Sequence, residues 1–141
     1  MNIKIGSNTD YLEITDIVPE GQEFGYSTSS VEFLRGTLCL KVSGVKTDIR
    51  ASFMIGEIKQ LLTNLEQLYR TLKLKFEFQN LEDNVLLKFS PTLNGQIEID
   101  GKLRTQNYSA TIDFMFETDQ TFLPNTIEQI RDMLAALAAR A

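Results

Sequence analysis

Residues 56–72 carry the strongest constraint on what this chain can fold into. Ile58, Leu61, Leu62, Leu65, Leu68, Tyr69 and Leu72 recur at steps of three and four, with Lys59, Gln60, Thr63, Asn64, Glu66, Gln67 and Arg70 between them. Such a stripe must be buried against another element. The runs on both sides alternate apolar and polar residues, the period of a half-buried strand. The pattern therefore predicts a β-rich domain whose sheet buries one face under this helix.

With 141 residues the chain fits a single domain, 1–141, large enough to bury a self-sufficient core without metal or disulfide. Cys39 is the sole cysteine and cannot form an internal bridge, which suits a reducing compartment. The opening Met1-Asn2-Ile3-Lys4-Ile5 has no basic region followed by an apolar run, and no segment approaches the roughly 20 apolar residues of a membrane span. The expectation is a soluble, cytoplasmic protein with no membrane contact.

A net charge of −5 repels phosphates at long range, so direct nucleic-acid binding is disfavoured and a basic partner is favoured. Modest negative charge also serves solubility alone. The sequence contains no histidine, which removes the usual general base near neutral pH, the commonest metal ligand and the central member of a catalytic triad.

Ile3 and Ile5, then Leu12 and Ile14, alternate around the turn residues Gly6-Ser7-Asn8-Thr9 and predict two short strands ending at Pro19. Residues 20–30, rich in Gly, Ser and Thr with Phe24 and Tyr26 as anchors, read as a surface loop that could bind a partner. Two longer strands follow, about 31–42 and 45–55, joined at Ser43-Gly44. A two-residue loop pairs Val42 with Val45, which sets Leu40 with Thr47, Leu38 with Ile49, Gly36 with Ala51 and Leu34 with Phe53 on one largely apolar face. The opposite face is polar except where Phe33 meets Met54, an apolar pair that is either a docking spot or a covered patch.

Beyond the helix, Leu74, Phe76 and Phe78 begin another strand, and 81–84 is a polar turn. For the hairpin that follows, a two-residue Asn94-Gly95 turn would set apolar against polar residues along the ladder. A three-residue loop, Leu93-Asn94-Gly95, with glycine in the left-handed position, instead pairs Pro91 with Ile97, Phe89 with Ile99, Val85 with Leu103 and, outside, Lys88 with Asp100. The strand Tyr108, Ala110, Ile112, Phe114, Phe116 alternates most cleanly and is expected to lie centrally. Pro124 and Asn125 introduce a second helix with Asn125 and Glu128 at capping-box spacing and an apolar stripe of Ile127, Ile130, Leu134 and Leu137. The predicted class is α+β: a largely antiparallel curved sheet of about 7–8 strands, favoured over two packed sheets, with two amphipathic helices on one face.

No phosphate loop, cysteine-pair metal site or nucleophile elbow is present, so no cofactor or metal is expected. Cys39 faces Asp48 across the hairpin, an unfavourable setting for a reactive thiolate. Glu98 with Asp100, and Asp113 with Glu117, project from the outer sheet face at alternate positions; solvated surface charge accounts for them unless they converge in a cleft. Glu117 and Asp119 also lie near the start of the second helix, whose positive end favours them.

The stretch Phe116-Glu117-Thr118-Asp119-Gln120-Thr121-Phe122-Leu123-Pro124 resembles the WapI family of small bacterial immunity proteins, and Asp10-Tyr11-Leu12-Glu13-Ile14 is similar to that family's opening. The order of paired strands, central helix and C-terminal helix agrees as well. The resemblance implies a cytosolic, non-catalytic antitoxin that binds the toxic C-terminal domain of a contact-delivered bacterial toxin, often a nuclease. Three readings follow. The first is an immunity protein whose acidic face, Glu98, Asp100, Asp113 and Glu117, covers a basic toxin. The second is a small adaptor that docks through Phe33 and Met54 or through residues 20–30. The third is a carboxylate-based enzyme, which requires those carboxylates to converge.

Overall fold

The computed structural model describes residues 1–20 and 33–139. Most of the expected surface loop, including Phe24 and Tyr26, lies outside the described residues, as does Val31. The order of elements is β1 (Ile3–Gly6), β2 (Tyr11–Pro19), β3 (Phe33–Val42), β4 (Val45–Met54), α1 (Ile55–Thr71), β5 (Phe76–Gln79), β6 (Val85–Pro91), β7 (Gln96–Arg104), β8 (Thr111–Asp119) and α2 (Leu123–Ala139). A four-stranded antiparallel meander followed by a helix therefore occurs twice.

The α+β class, the antiparallel pairing, the strand number and the two helices agree with the sequence reading. The favoured single curved sheet gives way to two four-stranded sheets, in the orders β1-β2-β3-β4 and β5-β6-β7-β8. Once α1 has carried the chain back, β5 pairs only with β6, so no parallel ladder joins the halves. The inner faces share one core instead. Phe53 on β4 stacks on Phe78 of β5 at 6.0 Å between ring centroids, and Phe76 stacks on Phe89 at 4.5 Å. Burial of apolar area of this kind, at about 25 cal/mol per Å², is the main favourable contribution to folding.

Both reasoned registers hold. The β3–β4 ladder runs from Val42 opposite Val45 to Phe33 opposite Met54, and its tight turn places Ser43 and Gly44 at φ 52° and 83°. The β6–β7 ladder pairs Pro91 with Ile97 and Lys88 with Asp100, around a loop in which Gly95 has φ 75°. Gly36 is required by a close approach: a bulge in β2 at Asp16 brings Ile14 Cγ2 and Thr15 O to 2.9 and 3.1 Å from where a Cβ would stand.

In α1, Ile58, Leu61, Leu65 and Leu68 are buried, whereas Tyr69 is half exposed, because α2 and the strands cover only the centre of the stripe. Glu57 Oε1 accepts a 2.7 Å hydrogen bond from the Met54 N–H, tying off the first turn. Burial raises the Glu57 carboxyl above its ordinary pKa, against the lowering effect of that bond and of one from the Leu81 backbone.

Two expectations fail at the C-terminal end. β8 is an edge strand, not a central one; its sheet ends there, with Tyr108 and Ala110 exposed in the preceding turn. α2 begins at Leu123, ahead of the Asn125 and Glu128 capping box, because a short 3-10 turn, Gln120–Phe122, runs directly into it. Asp119 caps that turn by accepting from the Thr121 N–H at 2.9 Å, the role expected of an acid at a helix start. Side-chain and backbone hydrogen bonds from Thr121 hold the Asp119 carboxyl below its ordinary pKa.

The polar turn at 81–84 is flanked by a network that ties the halves together. Asn80, 2% exposed, donates from Nδ2 to the Ser52 carbonyl of β4 at 3.0 Å, and its Oδ1 accepts from the N–H groups of Asn84 and Val85 at 2.7 and 3.1 Å. Asn84, 1% exposed, donates to the Arg104 carbonyl at 3.1 Å. Buried amides satisfied in this way fix geometry, since each lost partner would leave a desolvated polar group.

Candidate partner-binding surface

Because Val85, Leu87, Phe89, Ile97, Ile99, Leu103 and Phe116 turn inward, their neighbours on β6, β7 and β8 must form the outer face of the second sheet. The register arranges that face in rows. Ser90, Glu98 and Glu117 form one row; Glu77, Lys88, Asp100 and Met115 the next; Leu86, Lys102 and Asp113 a third. The four carboxylates singled out from the sequence thus share one face. Glu98 and Asp100 are half-buried, and Asp113 and Glu117 are exposed.

Their partners differ. Lys102 Nζ lies 3.9 Å from Asp113, and Lys88 Nζ lies 3.9 Å from Glu77, so Lys88 turns away from the Asp100 it faces in the ladder. Arg104 pairs with Asp83 at 2.9 Å at the margin of the face. Among the described residues, Glu98, Asp100 and Glu117 form no side-chain hydrogen bond or ion pair. Glu98 and Glu117 stand directly opposite each other, a placement that costs the ladder a few tenths of a kcal/mol to about 1 kcal/mol. Met115, 53% exposed, adds an apolar side chain among these acids.

Asp100 and Asp113 line an open hollow of about 380 Å³ with Lys88 and Lys102, whereas Glu98 and Glu117 lie outside it, so the four carboxylates do not converge on one site. Among the described residues no group of three or more Cys, Asp or Glu side chains is placed to hold a metal ion. Cys39 is half-buried; burial raises its thiol pKa, a nearby Asp48 adds to the rise, and Thr15 opposes it through a 3.5 Å contact to Sγ. Its thiolate is disfavoured, as its position across from Asp48 implied.

Phe33 and Met54 stand opposite each other on the outer face of the first sheet, both half-buried. Met54 also lines a hollow of about 360 Å³ with Glu57, Gln60 and Gln79, beside the start of α1. Since the two sheets meet through their inner faces, this pair and the four acids lie on separate surfaces. Sequence reasoning missed Met115 and the edge position of β8; the signal was the alternating Asp113 and Glu117, since charged side chains commonly guard sheet edges.

No helix among the described residues is long and apolar enough to cross a membrane. Two solved structures resemble the fold. WHY1 from Arabidopsis thaliana superposes with a TM-score of 0.55 at 13% identity, covering 97% of this chain and 84% of that one. The plant transcriptional regulator PBF-2 gives 0.58 at 10% identity, covering 99% and 82%. At such identities the likeness is one of fold alone. No curated protein matches in sequence. The model of the Immunity protein WapI-like family matches residues 4–138, which takes in every strand and helix but for the first residue of β1 and the last of α2. That span includes the strand-to-helix corner where Phe116, Thr118, Phe122 and Leu123 are buried and Asp119 caps the turn, and it shows that the chain belongs to the Immunity protein WapI-like family.

Proposed function

We propose that this chain is a non-catalytic immunity protein that acts in the cytosol of the cell that makes it, binding and occluding the toxic domain of a contact-delivered bacterial toxin. The outer face of β6–β8 is the contact surface, and the partner is a basic domain, such as a nuclease whose active-site cleft binds phosphates. The observation that carries this reading is the opposition of Glu98 and Glu117 without a neutralising cation. A like-charge pair that weakens the free protein becomes favourable when a partner's lysine or arginine sits between the two carboxylates. Family membership supplies the expectation of a protein partner.

The test is co-purification with the product of the neighbouring reading frame at low and high salt. A toxic partner whose complex loosens with salt, and is lost when Glu98, Asp100, Asp113 and Glu117 are changed to lysine, is the expected result. Undiminished binding by that variant removes this surface. The adaptor reading rests on the half-buried Phe33 and Met54; a complex indifferent to salt and lost on changing this pair to serine would favour it.

A further inference from the structure

We propose that the free edge of β8 is a strand-addition site for an extended partner segment in which apolar and basic residues alternate. The inference rests on the acidic face being the contact surface and specifies how a partner engages it.

Two sheets of four strands have four edges, and they are treated differently. Along β1, the Thr126 hydroxyl of α2 donates to the Lys4 carbonyl, and Gln129 Oε1 accepts from the Lys4 N–H at 2.8 Å. On β4, Asn80 covers the Ser52 carbonyl alone, and Lys46 and Arg50 on its outer face would repel a basic strand. β5 has four residues and lies against α1. β8 has nine residues and pairs with β7 in unbroken register, and among the described residues its outward N–H and C=O groups have no partner. It contains no proline and no bulge, and its guards are the exposed Asp113 and Glu117, which repel acidic strands but not basic ones.

The side chains along that edge define what fits. On the inner side Ile112 and Phe114 are half-buried, whereas Val85 and Leu87 of β6 and Leu103 of β7 in the same rows are covered. On the outer side Asp113, Met115 and Glu117 are exposed. An added strand sets its alternate side chains on these same two faces. Apolar residues would complete the cover over Ile112 and Phe114, and basic residues would meet Asp113 and Glu117. A second copy of the chain is a poor occupant: an antiparallel pair of β8 strands centred on Met115 would place each Asp113 opposite the other chain's Glu117.

The experiment is an NMR titration of the intact chain with a nine-residue peptide of alternating lysine and valine. The controls carry glutamate in place of lysine, or N-methyl groups on the amides of one edge. The lysine peptide is expected to shift β8 resonances and slow exchange of its outward amides, with both controls about tenfold weaker or worse. In the D113K/E117K variant the preference should pass to the glutamate peptide. Shifts that avoid β8, equal affinity after N-methylation of either edge, or a β8-paired dimer without peptide would each overturn strand addition. Toxin binding that depends on the four acids, with β8 amides left unprotected, would retain the acidic face and remove only this mode. Toxin binding indifferent to those acids would remove the face and this mode with it.

Discussion

On the outer face of the first sheet, the cations Lys4, Arg35, Lys41, Lys46 and Arg50 are nearly balanced by Glu13, Asp48 and, in a hollow shared with Arg35 and Arg50, Asp16 and Glu20. On that of the second, Glu77, Glu98, Asp100, Asp113 and Glu117 outnumber Lys88, Lys102 and Arg104. The two sheets have the same strand number, the same meander order and a common core, so architecture does not dictate this segregation. Solubility asks only for a net charge away from zero, and a uniform scatter of acids would supply it. A nearly balanced face on one side and an acidic one on the other give the molecule a direction: a basic surface would be attracted more strongly to the second sheet than to the first.

The largest effect should come from breaking what the sheets share. Phe89→Ala, at a fully buried ring stacked on Phe76, is expected to cost about 3–5 kcal/mol in urea unfolding without altering either outer face. Asn80→Ala should cost roughly 2–3 kcal/mol, since it strips the Asn84 and Val85 N–H groups and the Ser52 carbonyl of their partner. If the loss is instead below about 0.5 kcal/mol, the sheets are joined by apolar packing alone.

Charge reversal addresses the comparison itself. Lysine at Glu98 and Glu117 should slow association with a basic partner by at least about tenfold at low salt, while K41E/R50E on the first sheet leaves the rate unchanged or raises it. Equal effects from the two faces would mean that net charge, not its placement, governs binding. Stability measured on the same variants should rise slightly for Glu117→Lys, by a few tenths of a kcal/mol to about 1 kcal/mol, as the like-charge pair becomes an opposite one.

The smallest expected effect is a pH dependence at the corner that leads from β8 into α2. The folded-state pKa of Asp119 is lowered, so its contribution is present above the ordinary aspartate value of 3.8 and is lost as pH falls through the lower folded value. Asp119→Asn should therefore be less stable than the parent at neutral pH, with the gap closing in acid. A gap that stays constant down the titration would show that the Thr121 hydrogen bonds do not discriminate the carboxylate.

Legibility of the fold followed the range of the interactions. The β3–β4 and β6–β7 registers could be read because a tight turn leaves few pairings and only one places apolar residues on a common face. Whether eight strands make one sheet or two depends on contacts distant in sequence, such as Phe53 on Phe78 or Asn80 on Ser52, and nothing in local alternation records them. The misplacing of β8 has the same origin: Ile112, Phe114 and Phe116 alternate as a central strand would, since this edge strand still has one face on the core. The acidic face was legible as a set of residues, because alternation alone puts Glu98, Asp100, Asp113 and Glu117 outward. That Glu98 and Glu117 oppose each other required the β7–β8 register, and the turn at 105–110 does not announce it.

The bonds from Thr126 and Gln129 to Lys4 join positions more than a hundred residues apart, near the two ends of the described chain. During synthesis on the ribosome, β1 emerges more than a hundred residues before α2. Until α2 has emerged, the edge of β1 therefore waits without its cover, open to addition by other nascent strands. Closure of this margin is an event of α2, and removing that helix would leave the edge of β1 lastingly adhesive.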